Sequence, residues 1–470
     1  MVFNSFQFWL VYPFLFLGYW LIPPKRNGLR NWYLIIVSYI LYMSWQPAFA
    51  IILLGVSLIT YLGGRGVERC RGKRYYTLKG WFMAFCALLP LLIFKYYNFV
   101  NTNLSSLLSS CGVHMSLPGL NWAVPIGISF FTFQAVGYYF DVFYSRIQAE
   151  RNLRDYLLFV SFFPQILSGP ISKASELLPQ IKSSHLFNRT QGVKGLRLLL
   201  WGMFLKLVIA DRLGLYVDAV YSNFYHFSGW NCLLASAFYS IQIYTDFAGY
   251  SLMAMGIAKT LGFDIINNFN RPYFAVSVTD FWHRWHISLS RWLKDYVYIP
   301  LGGSRCSKAR NYLNILVTFL VSGIWHGAAW TFVLWGILHG IVQVVEKFFH
   351  GQRYNGRNWA IRGLKIAGTF IIINFLWVVF RMPSVGESVA FIQHIFSDFH
   401  QGDFLTQQMT SIKLGLPLLI LKDVHDEFFP NCFHVMDYKL LRRAIYLILF
   451  SIIILNGVLD SGSFIYPSSG

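Results

Sequence analysis

His326 is the residue with the clearest capacity for chemistry. It lies in Ser322-Gly-Ile-Trp-His-Gly-Ala, between two apolar runs with almost nothing polar to solvate it. An ionisable side chain in hydrocarbon is a functional candidate by default. Its unperturbed pKa of about 6.5 makes imidazole a proton acceptor near neutral pH. The plainer alternative is a core histidine bonded to a neighbouring carbonyl. His286 follows in Asp280-Phe-Trp-His-Arg-Trp-His-Ile-Ser-Leu-Ser-Arg-Trp-Leu. Gln242 and Asp246 stand four residues apart, one above the other on a helix face. A carboxylate at the centre of a membrane costs roughly 2.5–3.5 kcal/mol on insertion scales, so Asp246 should face the interior with a partner. It is suited either to orienting an imidazole or to supporting a polar helix contact. A metal would need more than His283 and His286 at i and i+3 with Cys306 beyond, since no third close ligand completes a tetrahedron. No metal is expected.

The elements that must hold these groups follow from hydropathy. Of 470 residues, 56% are hydrophobic, and apolar runs long enough to cross a bilayer recur along the chain. The expectation is an all-α polytopic membrane protein, a single integral membrane domain over residues 1–470 with about ten or eleven crossings. From Asp280 onward, Trp282, Trp285, Trp292 and Tyr296 fall at helical offsets on one flank, with Arg284, Arg291, Lys294 and Asp295 elsewhere. That pattern predicts a helix lying at the membrane surface, with His286 on a neighbouring stripe. Leu313–Val345 has basic residues at both ends and breaks near Ser322-Gly323 and His326-Gly327, so His326 should sit near the deepest point of a hairpin. Tyr156–Pro170 is too short and too punctuated by proline and glycine to span, which makes it a re-entrant segment. Thr132 and Gln134 within Trp122–Phe143 should face protein rather than lipid. Asn98–Asn121 and Met382–Ile412, free of basic residues, read as outside loops, and Lys422–Arg443 as an amphipathic stretch before a last span, Ala444–Leu459.

The net charge of +19 does not point to nucleic acid. The basic residues are confined to alternate loops, as in cytoplasmic loops of membrane proteins, and no recognition fold accompanies them. That asymmetry leaves the N-terminus outside. The six cysteines are scattered without CxxC spacing and suggest neither a disulfide framework nor a zinc knuckle.

Taken together, Tyr244-Thr-Asp-Phe-Ala-Gly-Tyr-Ser, Asn268-Phe-Asn-Arg-Pro-Tyr-Phe, the Asp280–Leu293 run, Tyr298-Ile-Pro-Leu-Gly-Gly, Phe163-Pro-Gln-Ile-Leu-Ser-Gly-Pro and the Trp325-His-Gly element resemble the membrane-bound O-acyltransferase (MBOAT) family. The likeness is strongest to its bacterial branch of alginate O-acetylation and teichoic acid D-alanylation proteins, and it covers essentially the whole chain. The resemblance implies a ring of tilted helices with re-entrant segments around a thin central site, His326 as catalytic residue and His286 as a second functional one. It further implies an acyl thioester donor such as acetyl-CoA from the cytoplasm, an extracytoplasmic polysaccharide acceptor, and partner acyltransferase proteins outside a bacterial inner membrane. Histidine suits the step, because moving an acyl group to a hydroxyl needs a base for the hydroxyl proton. Arg271, Arg284, Arg291 and Lys294 are the candidates for the donor's phosphates, since guanidinium forks match phosphate oxygens. They would equally serve as an orientation signal against anionic lipid. Asp246 and Gln242 are assigned polar support. No bound cofactor is expected. A lipid-linked sugar flippase and a non-catalytic scaffold of a secretion complex are the rival readings.

Overall fold

Side-chain caps mark where several helices begin. Ser5, Asn188, Ser228, Ser277 and Ser307 each accept a hydrogen bond from a main-chain N–H two or three residues inside the helix that follows, satisfying a donor the helix itself cannot. In this computed structural model the described residues are 3, 5–113, 118–349, 358–397, 410–429 and 439–458. The chain is helical throughout, and no strand occurs among those residues. The first half comprises α1 (Phe6–Leu21), α2 (Asn27–Met43), α3 (Pro47–Arg69), α4 (Tyr76–Ser110), α5 (Ile128–Phe143), α6 (Leu153–Ser161), α7 (Ala174–Lys182), α8 (Arg189–Met203) and α9 (Asp211–Ser222). The second comprises α10 (Gly229–Thr260), α11 (Val278–Arg284), α12 (Ile287–Leu293), α13 (Lys308–His326), α14 (Trp330–Phe348), α15 (Trp359–Arg381), α16 (Val385–Ser397), α17 (Thr410–Phe428) and α18 (Lys439–Asn456).

The protein is a polytopic membrane protein, and its surface shows it. Large apolar side chains such as Phe14, Leu21, Ile51, Leu78 and Leu364 point outward, while Thr132, Gln134, Asn231, Ser240, Asp246 and Asn374 are buried. A water-soluble chain distributes these classes the other way. Helices α3, α4, α14 and α15 are each long and apolar enough to cross a bilayer alone, and α1 and α2 form a pair bent by 100°. Other expected crossings fall on helices that are interrupted or carry polar groups inward. Helix α8 runs into a π-helical turn, Phe204–Ala210, before continuing as α9. Helix α10 is buried along most of its length and packs most extensively on α8. The two approach closely because Gly202 and Gly249 meet, and a Cβ on Gly202 would lie 2.6 Å from the Gly249 carbonyl oxygen.

Several expected boundaries move. Asn98–Asn121 is not wholly a loop, because α4 continues to Ser110. Met382–Ile412 contains α16, whose Phe391 and Ile395 are fully buried, with the remainder up to residue 409 outside the described residues. Helix α17 runs through Lys422, where a boundary was expected, and residues 430–438 lie outside the description. In each case helical hydrogen bonding and contact with neighbours extend an element past the point where hydropathy falls. Thr132 and Gln134 are buried as required, with Gln134 Nε2 donating to the Phe159 carbonyl at 2.5 Å.

Candidate active site

The pair α13 and α14 forms an antiparallel hairpin, and His326 is the last residue of α13, at its apex. Both helices have 19 residues, about 28 Å at 1.5 Å per residue, because their polar flanks are also helical. The hairpin closes tightly because Gly323 has no side chain: a Cβ there would fall 2.2 Å from the Phe332 carbonyl oxygen of α14. The imidazole of His326 is buried, with Trp325, Trp335 and Phe380 rings at centroid distances of 4.9, 5.0 and 5.3 Å.

His286 lies elsewhere than the surface helix expected of it. The predicted continuous helix is broken into α11 and α12, and His286 is the break, at φ +42° in the left-handed region. A non-glycine residue there is strained and persists only when its surroundings impose it. Asn268 does so: its main-chain oxygen accepts from Ile287 N at 3.0 Å and its Oδ1 from Ser288 N at 3.1 Å. Glu346 of α14 anchors the other side by accepting from the main-chain N–H groups of Val278 and Thr279. The His286 ring is wholly buried between Phe130, Phe247 and Trp325, and neither ring nitrogen bonds to another of the described residues. The aromatic flank splits accordingly. Trp282 packs on Trp335 and Phe319, Trp285 on Phe281 and Trp377, and Trp292 stacks on Phe133 at 3.8 Å. Those rings cover protein rather than lipid.

The indole of Trp325 therefore touches both imidazoles, so the two histidines named from sequence meet in one buried site. Two further groups reach it that the sequence reading did not single out. Lys95 of α4 donates to the Trp325 carbonyl at 2.5 Å and contacts Ser129 Oγ at 3.3 Å. His339 of α14 is fully buried, its Nδ1 accepting from Trp282 Nε1 at 3.2 Å, and its ring packs 4.6 Å from Trp335. The Trp335 ring links His339 to His326, at centroid distances of 4.6 and 5.0 Å. A lysine inside the apolar run 81–97 and a histidine inside 330–348 were the available signals.

The polar-support residues have different neighbours. Asp246 of α10 pairs with Lys206 of the π turn at 2.5 Å, and Lys206 also reaches Asp211 of α9 at 2.8 Å, forming an almost fully buried triad. The partner of Asp246 is thus a lysine and not an imidazole. Gln242 is buried against α9, where a Cβ on Gly214 would lie 2.8 Å from its Nε2. Asn314 holds the Gly303 carbonyl at 3.1 Å. The four basic candidates do not converge. Arg271 and Arg284 share the buried carboxylate of Glu427 with Arg362, at 3.1, 2.9 and 2.8 Å. Arg291 pairs with Glu176 at 2.5 Å, and Lys294 is exposed. His283 and His286 diverge, one exposed and bonding the Thr279 carbonyl, the other enclosed. Among the described residues no three His, Cys, Asp or Glu side chains gather as a metal site.

Comparison with known proteins bears on this site. The profile of the membrane-bound O-acyltransferase family, MBOAT, matches residues 142–383, which span His286 and His326. The probable alginate O-acetylase AlgI of Azotobacter vinelandii is 34% identical over 427 residues, 89% of this chain and 83% of that protein. The peptidoglycan O-acetyltransferase of Helicobacter pylori is 33% identical over 80% of this chain and 76% of its own length. The teichoic acid D-alanyltransferase of Bacillus subtilis is 25% identical over 80% of this chain and 96% of its own.

Proposed function

Because this chain belongs to the membrane-bound O-acyltransferase family, we propose that it takes an acyl group, acetyl in the simplest case, from a cytoplasmic thioester and passes it toward an extracytoplasmic polysaccharide. The observation that carries this reading is the meeting of His286 and His326 on either side of Trp325, deep among helices whose outer faces are apolar. His326 acts as general base. It accepts the proton of the attacking hydroxyl as that oxygen bonds to the acyl carbon, and the proton follows to the sulfur as the carbon–sulfur bond breaks. His286 positions the donor or shares the proton transfer. Lys95 holds the main chain from which His326 projects. Coenzyme A or another carrier thiol serves as donor, and an acyltransferase outside the membrane completes transfer to the polymer where the acceptor cannot enter the site. The membrane in this reading is a bacterial inner membrane, and the bias of basic loops sets the N-terminus outside it.

The experiment is substitution of His326 by Ala and by Gln in a strain lacking the native copy, with mass spectrometry of the surface polysaccharide. A positioned general base contributes about 10²–10⁴-fold, so acetylation should fall below detection while the variant is made and inserted at normal levels. Unchanged acetylation in either variant would remove His326 from the chemistry.

A further inference from the structure

Away from the paired histidines, a cavity of about 530 Å³ opens between α8, α10, the 267–271 loop and α17. Its lining carries five cations, Lys194, Arg197, Lys259, Arg271 and Lys422, against two carboxylates, Asp423 and Asp426, so the space is cationic. Three of the five have carboxylate partners: Lys259 pairs with Asp264, Lys422 with Asp426 at 2.7 Å, and Arg271 with Glu427. Asp423 accepts from the Tyr244 hydroxyl at 3.1 Å. Lys194 and Arg197 have no ion-pair partner among the described residues. They stand three apart on one face of α8. The guanidinium of Arg197 lies over the Tyr446 ring at 5.5 Å, which fixes its plane, while its buried Nε has no hydrogen-bond acceptor among the described residues. Below these cations the wall turns apolar, through Trp201, Leu205 and Leu252.

We propose that this cavity binds a phosphate ester, its phosphate held by Lys194 and Arg197 and its apolar portion lying on α8 and α10. A planar guanidinium with a free N–H edge matches phosphate oxygens, and a flexible ammonium one turn away adds a second charge. Basic pockets between membrane helices take anionic head groups for the same reason. The chemistry has two sources, the head group of an anionic phospholipid and the nucleotide end of a thioester donor. Tyr244, in the cavity wall, contacts Phe269, which contacts Phe247, the ring against His286. The donor source rests on the acyl-transfer reading and the lipid source does not, and both are measured as binding without turnover.

The test uses the full chain purified in detergent. Retention of phosphatidylglycerol over phosphatidylcholine is read by native mass spectrometry, and coenzyme A binding by equilibrium dialysis. One variant carries Lys194→Ala with Arg197→Ala, at positions exposed or half-buried on α8. The other, Leu252→Trp, fills the cavity and leaves both cations in place. The expected result is that at least one probe binds the wild type and loses about tenfold in affinity in each variant, through lost charge-assisted contacts in one and through the filled cavity in the other. Selective retention of phosphatidylglycerol identifies a lipid site, and coenzyme A binding a donor site. The proposal is overturned if neither probe binds the wild type, if the double variant binds both unchanged, or if a monodisperse Leu252→Trp protein retains full affinity, which would reduce the effect to surface charge.

Discussion

The Nζ of Lys95 on α4 donates at 2.5 Å to the main-chain carbonyl of Trp325, so a side chain from one helix closes the C-terminal end of the helix that presents His326. The Tyr96 hydroxyl does the same for the Ile324 carbonyl at 2.6 Å. The last carbonyls of a helix have no partner within it, and these two donors supply one. Replacing Lys95 by Met keeps roughly the length of the side chain and removes its donor. The expected effect is a fall of up to about tenfold in kcat with little change in KM, since a single hydrogen bond contributes ~0.5–1.5 kcal/mol. Lys95→Arg should restore part of the rate. Steady-state transfer of labelled acetyl groups measures it, and an unchanged kcat in Lys95→Met would show that the clamp does not position His326.

His286 combines a left-handed backbone with an enclosed ring, and the two properties can be separated. Asn, like His, visits the left-handed region several-fold more often than most other non-glycine residues. His286→Asn should therefore melt close to the wild type while losing transfer. His286→Val should also lose stability, because a β-branched side chain is far more crowded in the left-handed region than His or Asn. Thermal unfolding in detergent and transfer assays on the same preparations check this. Full turnover in the Asn variant would confine His286 to shaping the chain.

The triad of Lys206, Asp211 and Asp246 predicts a stability effect rather than a catalytic one. Lys206→Met leaves two buried carboxylates without their cation, at a cost of about 3–5 kcal/mol. Adding Asp246→Asn should recover part of that loss. Fluorescence-detected gel filtration across a temperature series reads both. If Asp246→Asn melted like the wild type yet lost all transfer, the carboxylate would belong to the chemistry.

The bond from Trp282 to His339 ties α11 to α14 beside the site. His339→Phe strands a buried indole N–H, which costs roughly 1–3 kcal/mol. Changing Trp282 to Phe in the same protein removes the stranded donor, so the double variant should be more stable than the sum of the single effects implies. Strict additivity in that cycle would mean the bond contributes nothing.

The order of residues by itself determined the all-helical membrane class, the His326 hairpin, a segment over Tyr156–Pro170 too short to span, and the need for Asp246 to find a partner. These follow from local quantities: hydropathy along a run, charge on loops, and the cost of an ion in hydrocarbon. Only the tertiary structure decided that the 280–296 stretch is two helices with a strained His286 between them, and that Trp325 touches both imidazoles. It also placed Lys95 and His339 beside the site and joined Arg271, Arg284 and Arg362 to Glu427 rather than leaving them together at one phosphate. Hydropathy cannot distinguish an aromatic flank that faces lipid from one that faces protein. The break at His286 is imposed by Asn268 and Glu346, both outside the two helices they hold.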